Sequence, residues 1–262
     1  WRLALANLWR RRLQSLIQVL GFAGAIALLM IMTVIRTSLI DDLQLQFDED
    51  TPNHFVYNVA SYELAEVEAL IDQRSLETSG WFSMVRARIR QINGEDIDAE
   101  QPDSHRSLQR ELNLSWSSSV PDNNAITSGD WWRSAAAPNR EEPAPLSIEE
   151  DLAAELGLEI GDRMMFSVGG LNFEALVANT RSVNWDDMTP NFYFLFPEGV
   201  LEDYPRTHMT SIYIPPADKL ILNDLLRNYP TLQVIELDKI IERVRTIVAQ
   251  VTRGLEVMTL LI

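Results

Sequence analysis

The segment Arg181–Pro197, RSVNWDDMTPNFYFLFP, joins a pair of aspartates to an aromatic run, and it decides how the middle of the chain folds. Its first residues complete a strand pattern, and Phe192–Phe196 form an apolar run typical of a buried strand. Asn184–Pro190 connects the two patterns and contains the Asp and Pro of an ordinary turn. We predict a strand, a turn and a core strand, with a lipid-facing aromatic wall as the alternative for Phe192–Phe196.

Asp186 and Asp187 are the candidate chemical groups of this segment. A carboxylate pair can bind a metal ion or act in acid–base catalysis, but both uses need further partners. The sequence supplies no neighbouring histidine, run of glutamates or calcium-loop spacing. We therefore interpret the aspartates as part of the turn, with a functional acid pair as the alternative.

Strand–helix–strand patterns occur near both ends of the central region. HFVYNVA (54–60) has the composition of a strand, and SYELAEVEALIDQ (61–73) has apolar residues at helical spacing. Phe82–Ile92 alternates apolar and polar residues and ends at Asn93-Gly94, a strong hairpin signal. HMTSIYIP, ADKLILNDLLRNYP and LQVIEL, within residues 208–237, form the second unit.

The residues between these units predict short strands instead. RELNLSWSS (110–118) alternates, and RMMFSVGGLNFEALVANTR (163–181) predicts a hairpin. Ser147 and Glu150 match a capping box for a short helix that ends at Gly157. The fold class is therefore α+β, with a β-rich insert interrupting an α/β part.

We assign the α/β part to residues 53–94 and 205–237 and the β-rich insert to residues 95–204.

The formal net charge is −16, yet residues 1–36 carry five arginines and no acid, so the remaining residues carry −21. An acidic body of this kind repels phosphates, which argues against a nucleic-acid partner.

The N-terminal region predicts a membrane anchor. Leu13–Ile35 is an uncharged run that would be roughly 35 Å long as a helix, enough to cross a bilayer core. We assign residues 13–36 to a transmembrane helix, with a buried soluble helix as the alternative. Residues 1–12 predict an interfacial helix on the cytoplasmic side, and residues 37–52 predict a stalk. Trp9, Arg10, Arg11 and Arg12 are the expected anchoring and orienting residues.

The C-terminal region also has apolar residues at the spacing of a helix. Val244, Val248, Val251 and Leu255 follow the spacing of a seam between packed helices. We predict that residues 238–262 form a second stalk and the start of a transmembrane helix, and that the polypeptide is longer than this chain. These four residues and Leu39 of the first stalk are the candidates for coupling movement through the two stalks.

Sites for catalysis, cofactors or metals are not predicted. His54, His105 and His208 lack ligand spacing, and the sequence has no cysteine, nucleophile elbow or Walker A motif. Arg86, Arg88 and Arg90 alternate along a strand and so share one face. They are candidates for contact with an anionic headgroup, while neutralisation of neighbouring acids is the alternative.

Several motifs together resemble the FtsX-like permease family of ABC transporters with a MacB-like periplasmic core domain, and in particular its YbbP-type permeases. The motifs in chain order are LANLWRRRLQSLIQ, PNHFVYNV, MVRARIRQING, RELNLSWSSSVPDNN, EEDLAAELGLEIGD, RSVNWDDMTPNFYFLFP and TSIYIP. The resemblance implies a periplasmic domain with an α/β porter-like part and an inserted β-rich part. It implies no catalytic residues.

The resemblance also implies partners and a location. A separate YbbA-like cytoplasmic ATPase would bind ATP and Mg, while this chain would bind no cofactor itself. Membrane lipids and the periplasmic esterase and thioesterase TesA are further implied partners. The expected location is the bacterial inner membrane, with the main domain in the periplasm. Such a permease couples ATP hydrolysis to movement of a domain that handles hydrophobic or lipid-like substrates.

Two other functions remain open from the sequence. A helix, an extracytoplasmic domain and a second helix are also the layout of a membrane-anchored sensor or receptor. A membrane-tethered hydrolase is the remaining alternative, with Asp186 and His208 as the residues to test.

Overall fold

The computed structural model describes residues 16–24, 26–27, 30–31, 34, 51–97, 111–132, 142–185 and 188–261. The chain divides into two compact units, one of residues 50–236 and one of the two terminal segments. The elements of the first unit are β1 (His54–Ala60), α1 (Leu64–Asp72), β2 (Phe82–Ile92), β3 (Glu95–Asp96), β4 (Leu112–Trp116), β5 (Asn124–Gly129), β6 (Ala144–Glu149), α2 (Glu150–Leu156), β7 (Arg163–Val168), β8 (Leu171–Val183), β9 (Phe194–Phe196), β10 (Thr207–Ile212), a 3-10 turn (Pro216–Asp218), α3 (Leu220–Asn228) and β11 (Gln233–Glu236).

The ends of this unit come together in an α/β layer. Strand β1 pairs antiparallel with β10 on one side and with β11 on the other, and β10 continues to β2. Helices α1 and α3 contribute Val67, Ile71, Ile221 and Leu225 to the core formed with these strands. The two strand–helix–strand units predicted from residues 54–94 and 205–237 are therefore present and share one core.

The β-rich region closes on itself. Among the described residues, β2, β4, β9, β6, β8 and β7 pair in that order, and β7 pairs again with β2. Closure removes the unpaired sheet edges that would otherwise promote aggregation. Strand β2 belongs to both regions, because its first residues pair with β10 and its later residues pair with β4 and β7. The predicted boundary after Gly94 stays a prediction.

Aromatic side chains fill the interior of the closed sheet. Phe166, Phe194 and Phe196 are fully buried, and Phe166 lies edge-on to the other two with ring centroids 5.6 and 5.8 Å apart. Burying one such side chain contributes about 1.5–3 kcal/mol. The prediction of a core strand is confirmed for Phe194–Phe196. Phe192 is buried just before this strand, whereas Tyr193 points outward and is half-exposed.

The two predicted glycine-containing turns are confirmed, and their residues adopt left-handed backbone conformations. Asn93-Gly94 connects β2 to β3, and Gly169-Gly170 connects β7 to β8, with positive φ at all four residues. Both turns suit the right-handed twist of the strands that they join. Gly157 ends α2 with φ 64°, as predicted.

The predicted capping box is wrong. Ser147 lies inside β6, and the helix begins only at Glu150. Glu149 takes the capping role, because its Oε2 accepts a hydrogen bond from the Leu152 backbone N–H at 2.7 Å. The sequence match failed because the pairing of β6 with β8 and β9 keeps Ser147 extended.

The second unit is helical where the structure describes it. The helix expected from about Asp238 is α4, which runs from Leu237 to Leu261. Residues 16–24 are also helical, and their apolar side chains are exposed. Among the described residues, no helix combines the length and the apolar composition needed to cross a membrane. The predicted span of residues 13–36 is described only in part and stays a prediction.

Candidate functional site

The side chain of Arg181 binds the backbone of the segment Arg181–Pro197 and of its neighbouring strands. Its side chain is fully buried at the end of β8. Nε donates to Asn124 Oδ1 at 2.8 Å, and Nη1 donates to the Ser147 carbonyl at 3.0 Å. Nη2 donates to the Phe192 carbonyl, and Nη1 also reaches the Tyr193 carbonyl at 3.4 Å. One guanidinium thus joins β8, β5, β6 and the segment that precedes β9.

The electrostatics of Arg181 fit a structural role. Burial lowers the pKa of Arg181 to about 10, and the negative charge of Glu149 opposes that shift. The guanidinium therefore remains charged at neutral pH, and its hydrogen bonds are charge-assisted. The sequence reasoning missed this residue. The sequence pattern that could have indicated it is the alternation of inward-facing and outward-facing residues along β8. The inward-facing residues are Ala175, Val177, Asn179 and Arg181.

Two pockets border the segment that Arg181 holds. The first, here called the acidic pocket, has a volume of about 580 Å³. Its lining residues are Glu111, Leu112, Asn113, Glu149, Asp151, Leu152, Glu155, Trp185, Asn191, Phe192, Tyr193, Phe194 and Met209. It combines carboxylates with four aromatic side chains, and the ring centroids of two of them, Trp185 and Tyr193, are 4.9 Å apart.

The second, here called the serine pocket, has a volume of about 470 Å³. Hydroxyl and amide side chains surround the aromatic rings of Phe82, Trp116 and Phe192. Most of these polar groups serve the fold: Ser115 Oγ donates to the Ser83 carbonyl at 2.7 Å, and Asn191 Oδ1 accepts from Asn124 at 3.0 Å. Asn191 and Phe192 line both pockets, so the segment after the turn forms their common wall.

The predicted arginine row lies on the exposed face of β2. Arg86, Arg88 and Arg90 alternate with buried residues, so they share one face. Arg86 Nη2 donates to Asn58 Oδ1 at 3.3 Å, and Arg88 forms a 3.1 Å ion pair with Glu111. Among the described residues, Arg88 is the one arginine of the three that forms an ion pair with a carboxylate, so the row retains positive charge.

His208 links two strands rather than forming a catalytic triad. It is 6% exposed, and its Nε2 and Nδ1 each lie 3.0 Å from a serine hydroxyl, those of Ser61 and Ser83. Burial lowers its pKa, and the charge of Arg206 adds to that shift. The imidazole is therefore neutral at pH 7, and a serine occupies the position where a triad would place a carboxylate.

The remaining predicted residues lie apart from these pockets or outside the described residues. Trp9, Arg10, Arg11, Arg12, Leu39, His105, Asp186 and Asp187 are not described. Val244 and Val251 lie on α4 and are 42% and 58% exposed. Val248 and Leu255 lie on the same helix. His54 is fully buried, and its Nδ1 lies 2.6 Å from Asn53 Oδ1.

Comparison with known proteins reveals one relative in sequence. Over 261 residues, which is 100% of this chain, 33% are identical to the uncharacterized ABC transporter permease YbbP of Escherichia coli. The chain spans 31% of the length of that protein. No protein-family model matches the chain. The predicted resemblance to YbbP-type permeases is confirmed.

Two solved structures have a loosely similar fold. One is the periplasmic region of MacB from Actinobacillus actinomycetemcomitans, with a TM-score of 0.39, 9% identity, and coverage of 74% of this chain and 94% of that chain. The other is a permease-protein domain from Porphyromonas gingivalis, with a TM-score of 0.33, 10% identity, and coverage of 71% and 90%.

Proposed function

Because the chain is related over its whole length to a segment of an ABC transporter permease, we propose that it is part of the membrane subunit of such a transporter. The sequence match carries this proposal. In this function, ATP hydrolysis by a partner drives movement of the domain of residues 50–236. That domain handles hydrophobic or lipid-like substrates on the outer side of the membrane.

The proposed location is the bacterial inner membrane, with residues 50–236 in the periplasm. Residues 1–12 would lie on the cytoplasmic surface, where Trp9 and Arg10–Arg12 orient the chain. Residues 13–36 would span the bilayer. Exposed apolar side chains support this placement, because Phe22 is 70% exposed and Val19 is 65% exposed in the helical residues 16–24.

Movement would pass through the two stalks, residues 37–52 and the helix α4. Ile247 and Val251 are 53% and 58% exposed on α4, so this helix offers an apolar surface for another helix. Leu39 of the first stalk is the proposed counterpart of the seam formed by Val244, Val248, Val251 and Leu255.

The energy source would be a YbbA-like cytoplasmic ATPase, which binds ATP and Mg. The permease itself would be neither an enzyme nor a cofactor-binding protein. Membrane lipids would contact the domain through Arg86, Arg88 and Arg90, because exposed guanidinium groups on one strand face suit an anionic headgroup. The esterase TesA is a proposed periplasmic partner.

Co-purification tests the proposed function. The full-length protein is purified from native membranes in nonionic detergent, and its partners are identified by mass spectrometry. We expect a stoichiometric subunit with a Walker A motif, and an ATPase activity that falls when the permease is removed. Purification without such an ATPase, under conditions where a known ABC transporter of the same cells retains its own, would contradict the proposal.

A further inference from the structure

The serine pocket lies where the α/β layer meets the closed sheet. Phe82 begins β2 where that strand pairs with β10, Trp116 ends β4, and Phe192 precedes β9. Small-molecule sites occur preferentially at junctions of this kind and have volumes of about 300–1,000 Å³. The volume of the serine pocket, about 470 Å³, falls within this range.

The serine pocket has an apolar floor and a polar rim. Phe192 and Leu195 form the floor and are 5% and 3% exposed. The ring of Phe82 adjoins that of Phe192, with centroids 6.4 Å apart and planes tilted by 43°. Ser119 and Asp122, in contrast, are exposed. A ligand that fills the pocket therefore places an apolar group against the phenyl rings and polar groups at the rim.

Ser79, which lines the pocket, holds a hydrogen-bond donor that the fold does not use. Its Oγ accepts hydrogen bonds from the backbone N–H of Ser211 at 3.2 Å and from the Ser211 hydroxyl at 2.8 Å. A hydroxyl group has two acceptor positions and one proton. Both acceptor positions of Ser79 are thus occupied, and no described residue accepts its proton. An oxygen atom of a ligand would accept it.

Trp116 supplies a second unused donor. The indole N–H groups of Trp131 and Trp132 donate to the carbonyls of Ser118 and Ser117 at 3.3 and 3.0 Å. The half-buried indole of Trp116 lines the pocket, and its N–H has no acceptor among the described residues. Buried indole N–H groups usually have a hydrogen-bond partner. This group is therefore available to a ligand.

Asp122 supplies an acceptor at the rim of the pocket. Its carboxylate forms no ion pair or hydrogen bond with the other described residues. Together with Ser79 and Trp116, the pocket thus offers two donors and an acceptor. A hydroxyl group both donates and accepts hydrogen bonds, so a ligand with several hydroxyl groups matches this set.

The charges near the pocket favour an uncharged ligand. Among the described lining residues, Asp122 is the one charged side chain. The guanidinium of Arg206 lies 6.0 Å from the centroid of the Trp116 ring, so a positive charge offsets that of Asp122. Neither an anion nor a cation meets a cluster of opposite charges in this pocket. A charged ligand would therefore lose its hydration without compensation, whereas a neutral one would not.

The wall that carries these groups is held in place by the fold. The indole hydrogen bonds from Trp131 and Trp132 fix the carbonyls of Ser118 and Ser117. The backbone N–H of Ser117 also donates to the Phe196 carbonyl at 3.0 Å. Because the wall is ordered before a ligand binds, binding costs less conformational entropy.

We propose that the serine pocket binds a small uncharged glycoside. The sugar ring lies at the rim, where one hydroxyl donates to Asp122 and other oxygens accept from Ser79 and Trp116. An apolar substituent lies against Phe82 and Phe192. The pocket has room for one sugar ring and one small substituent but not for acyl chains, so the proposed ligand is a free glycoside. This binding is a property of residues 50–236 and does not depend on transport or on an ATPase.

A series of four related compounds tests the proposal. Phenyl β-glucoside carries both parts of the proposed ligand. Its tetra-O-methyl derivative lacks the hydroxyl donors, phenyl β-glucuronide adds a negative charge that Asp122 repels, and glucose lacks the apolar group. The full-length protein is held in lipid nanodiscs, because sugar-based detergents would compete for the site, and dissociation constants are measured by isothermal titration. We expect phenyl β-glucoside to bind at least about tenfold more tightly than each of the other three.

Single substitutions in the pocket locate the site. Asp122→Ala, Ser79→Ala and Trp116→Leu should each weaken the binding of phenyl β-glucoside at least about fivefold. Asp122 is exposed, so Asp122→Ala should leave the melting temperature nearly unchanged. This variant therefore tests the site even if Trp116→Leu lowers the stability of the domain.

Each of these variants has a matched control outside the pocket. Asp130→Ala and Ser128→Ala change exposed residues of the same kinds, and Trp185→Leu changes a tryptophan that is 44% exposed. We expect the three control variants to bind phenyl β-glucoside like the unaltered protein. Equal affinities for the glucoside and its methylated derivative would overturn the proposal. So would the absence of measurable binding of the glucoside, or equal effects of the pocket variants and their controls.

Discussion

Arg181, near the end of β8, donates a hydrogen bond to the carbonyl of Phe192, eleven residues further along the chain. This hydrogen bond joins the two ends of the connection between β8 and β9. It also fixes the wall shared by the acidic and serine pockets, because Phe192 lines both. The fold and the candidate site thus depend on the same buried guanidinium.

Replacement of Arg181 should destabilise the domain strongly. Arg181→Met keeps an apolar side chain of similar length but leaves the Ser147 and Phe192 carbonyls without their donor. Each orphaned buried acceptor costs about 1–3 kcal/mol, so we expect a loss of about 3–5 kcal/mol in the free energy of unfolding. Chemical denaturation of the purified protein measures the loss.

Arg163→Met is the matched control for that experiment. Arg163 forms a 3.1 Å ion pair with Glu174 on the surface, and its side chain is 56% exposed. Exposed pairs of this kind contribute about 0–1 kcal/mol. Equal losses for Arg181→Met and Arg163→Met would show that the buried network does not stabilise the fold.

Local sequence signals were sufficient for several elements and turns of this domain, but not for β5 or β6. Alternation predicted β2, and glycine-containing turns predicted the β2–β3 and β7–β8 hairpins, because these features depend on neighbours in sequence. The closure of the sheet was not predicted. It requires the parallel pairings of β4 with β9 and of β6 with β8, which join strands without a connecting hairpin. No turn signal can indicate such a pairing.

The candidate site was harder to predict than the strands. Arg86, Arg88 and Arg90 share a face because a strand has period two, and this spacing is visible in the sequence. The acidic pocket instead gathers residues from α2, from the end of β8 and from the segment before β9. Only the tertiary fold brings Asp151 near Trp185, so composition and spacing gave no sign of it.

The stability of the domain should depend on pH through His208. Its pKa in the folded protein lies below the value of 6.5 expected when unfolded. As pH falls below about 6.5, the unfolded chain therefore takes up a proton before the folded protein does. The contribution of His208 is fully present above that pH and is lost as pH falls toward the folded pKa. The slope for this one group is at most about 1.4 kcal/mol per pH unit.

Comparison with His208→Gln isolates this contribution. Gln can still hydrogen-bond to the hydroxyls of Ser61 and Ser83 but does not titrate. We expect the difference in unfolding free energy between the two proteins to shrink as pH is lowered from 7 to 5, measured by denaturation in urea. A difference that stays constant over this range would contradict a depressed pKa at His208.

The arginine row should affect activity more than stability if it contacts lipid, as proposed above. The triple replacement of Arg86, Arg88 and Arg90 by Gln removes positive charge from an exposed strand face. We expect ATPase activity of the transporter in nanodiscs to lose its dependence on anionic lipid, while the melting temperature changes little. Glu111→Gln is the control, because it breaks the Arg88 pair but retains all three arginines. A large fall in melting temperature in the triple variant would favour a structural role in neutralising neighbouring acids.

Coupling through the stalks should be visible by cross-linking. The sequence contains no cysteine, so Leu39→Cys and Val248→Cys introduce a single pair of thiols. If the two helices pack together and move with the ATPase cycle, the yield of the disulfide should change between nucleotide-free and ATP-bound protein. Leu39→Cys combined with Glu242→Cys is the matched control, because Glu242 is exposed on α4 outside the predicted seam. Yields that are the same with and without nucleotide for both pairs would argue against mechanical transmission through these helices.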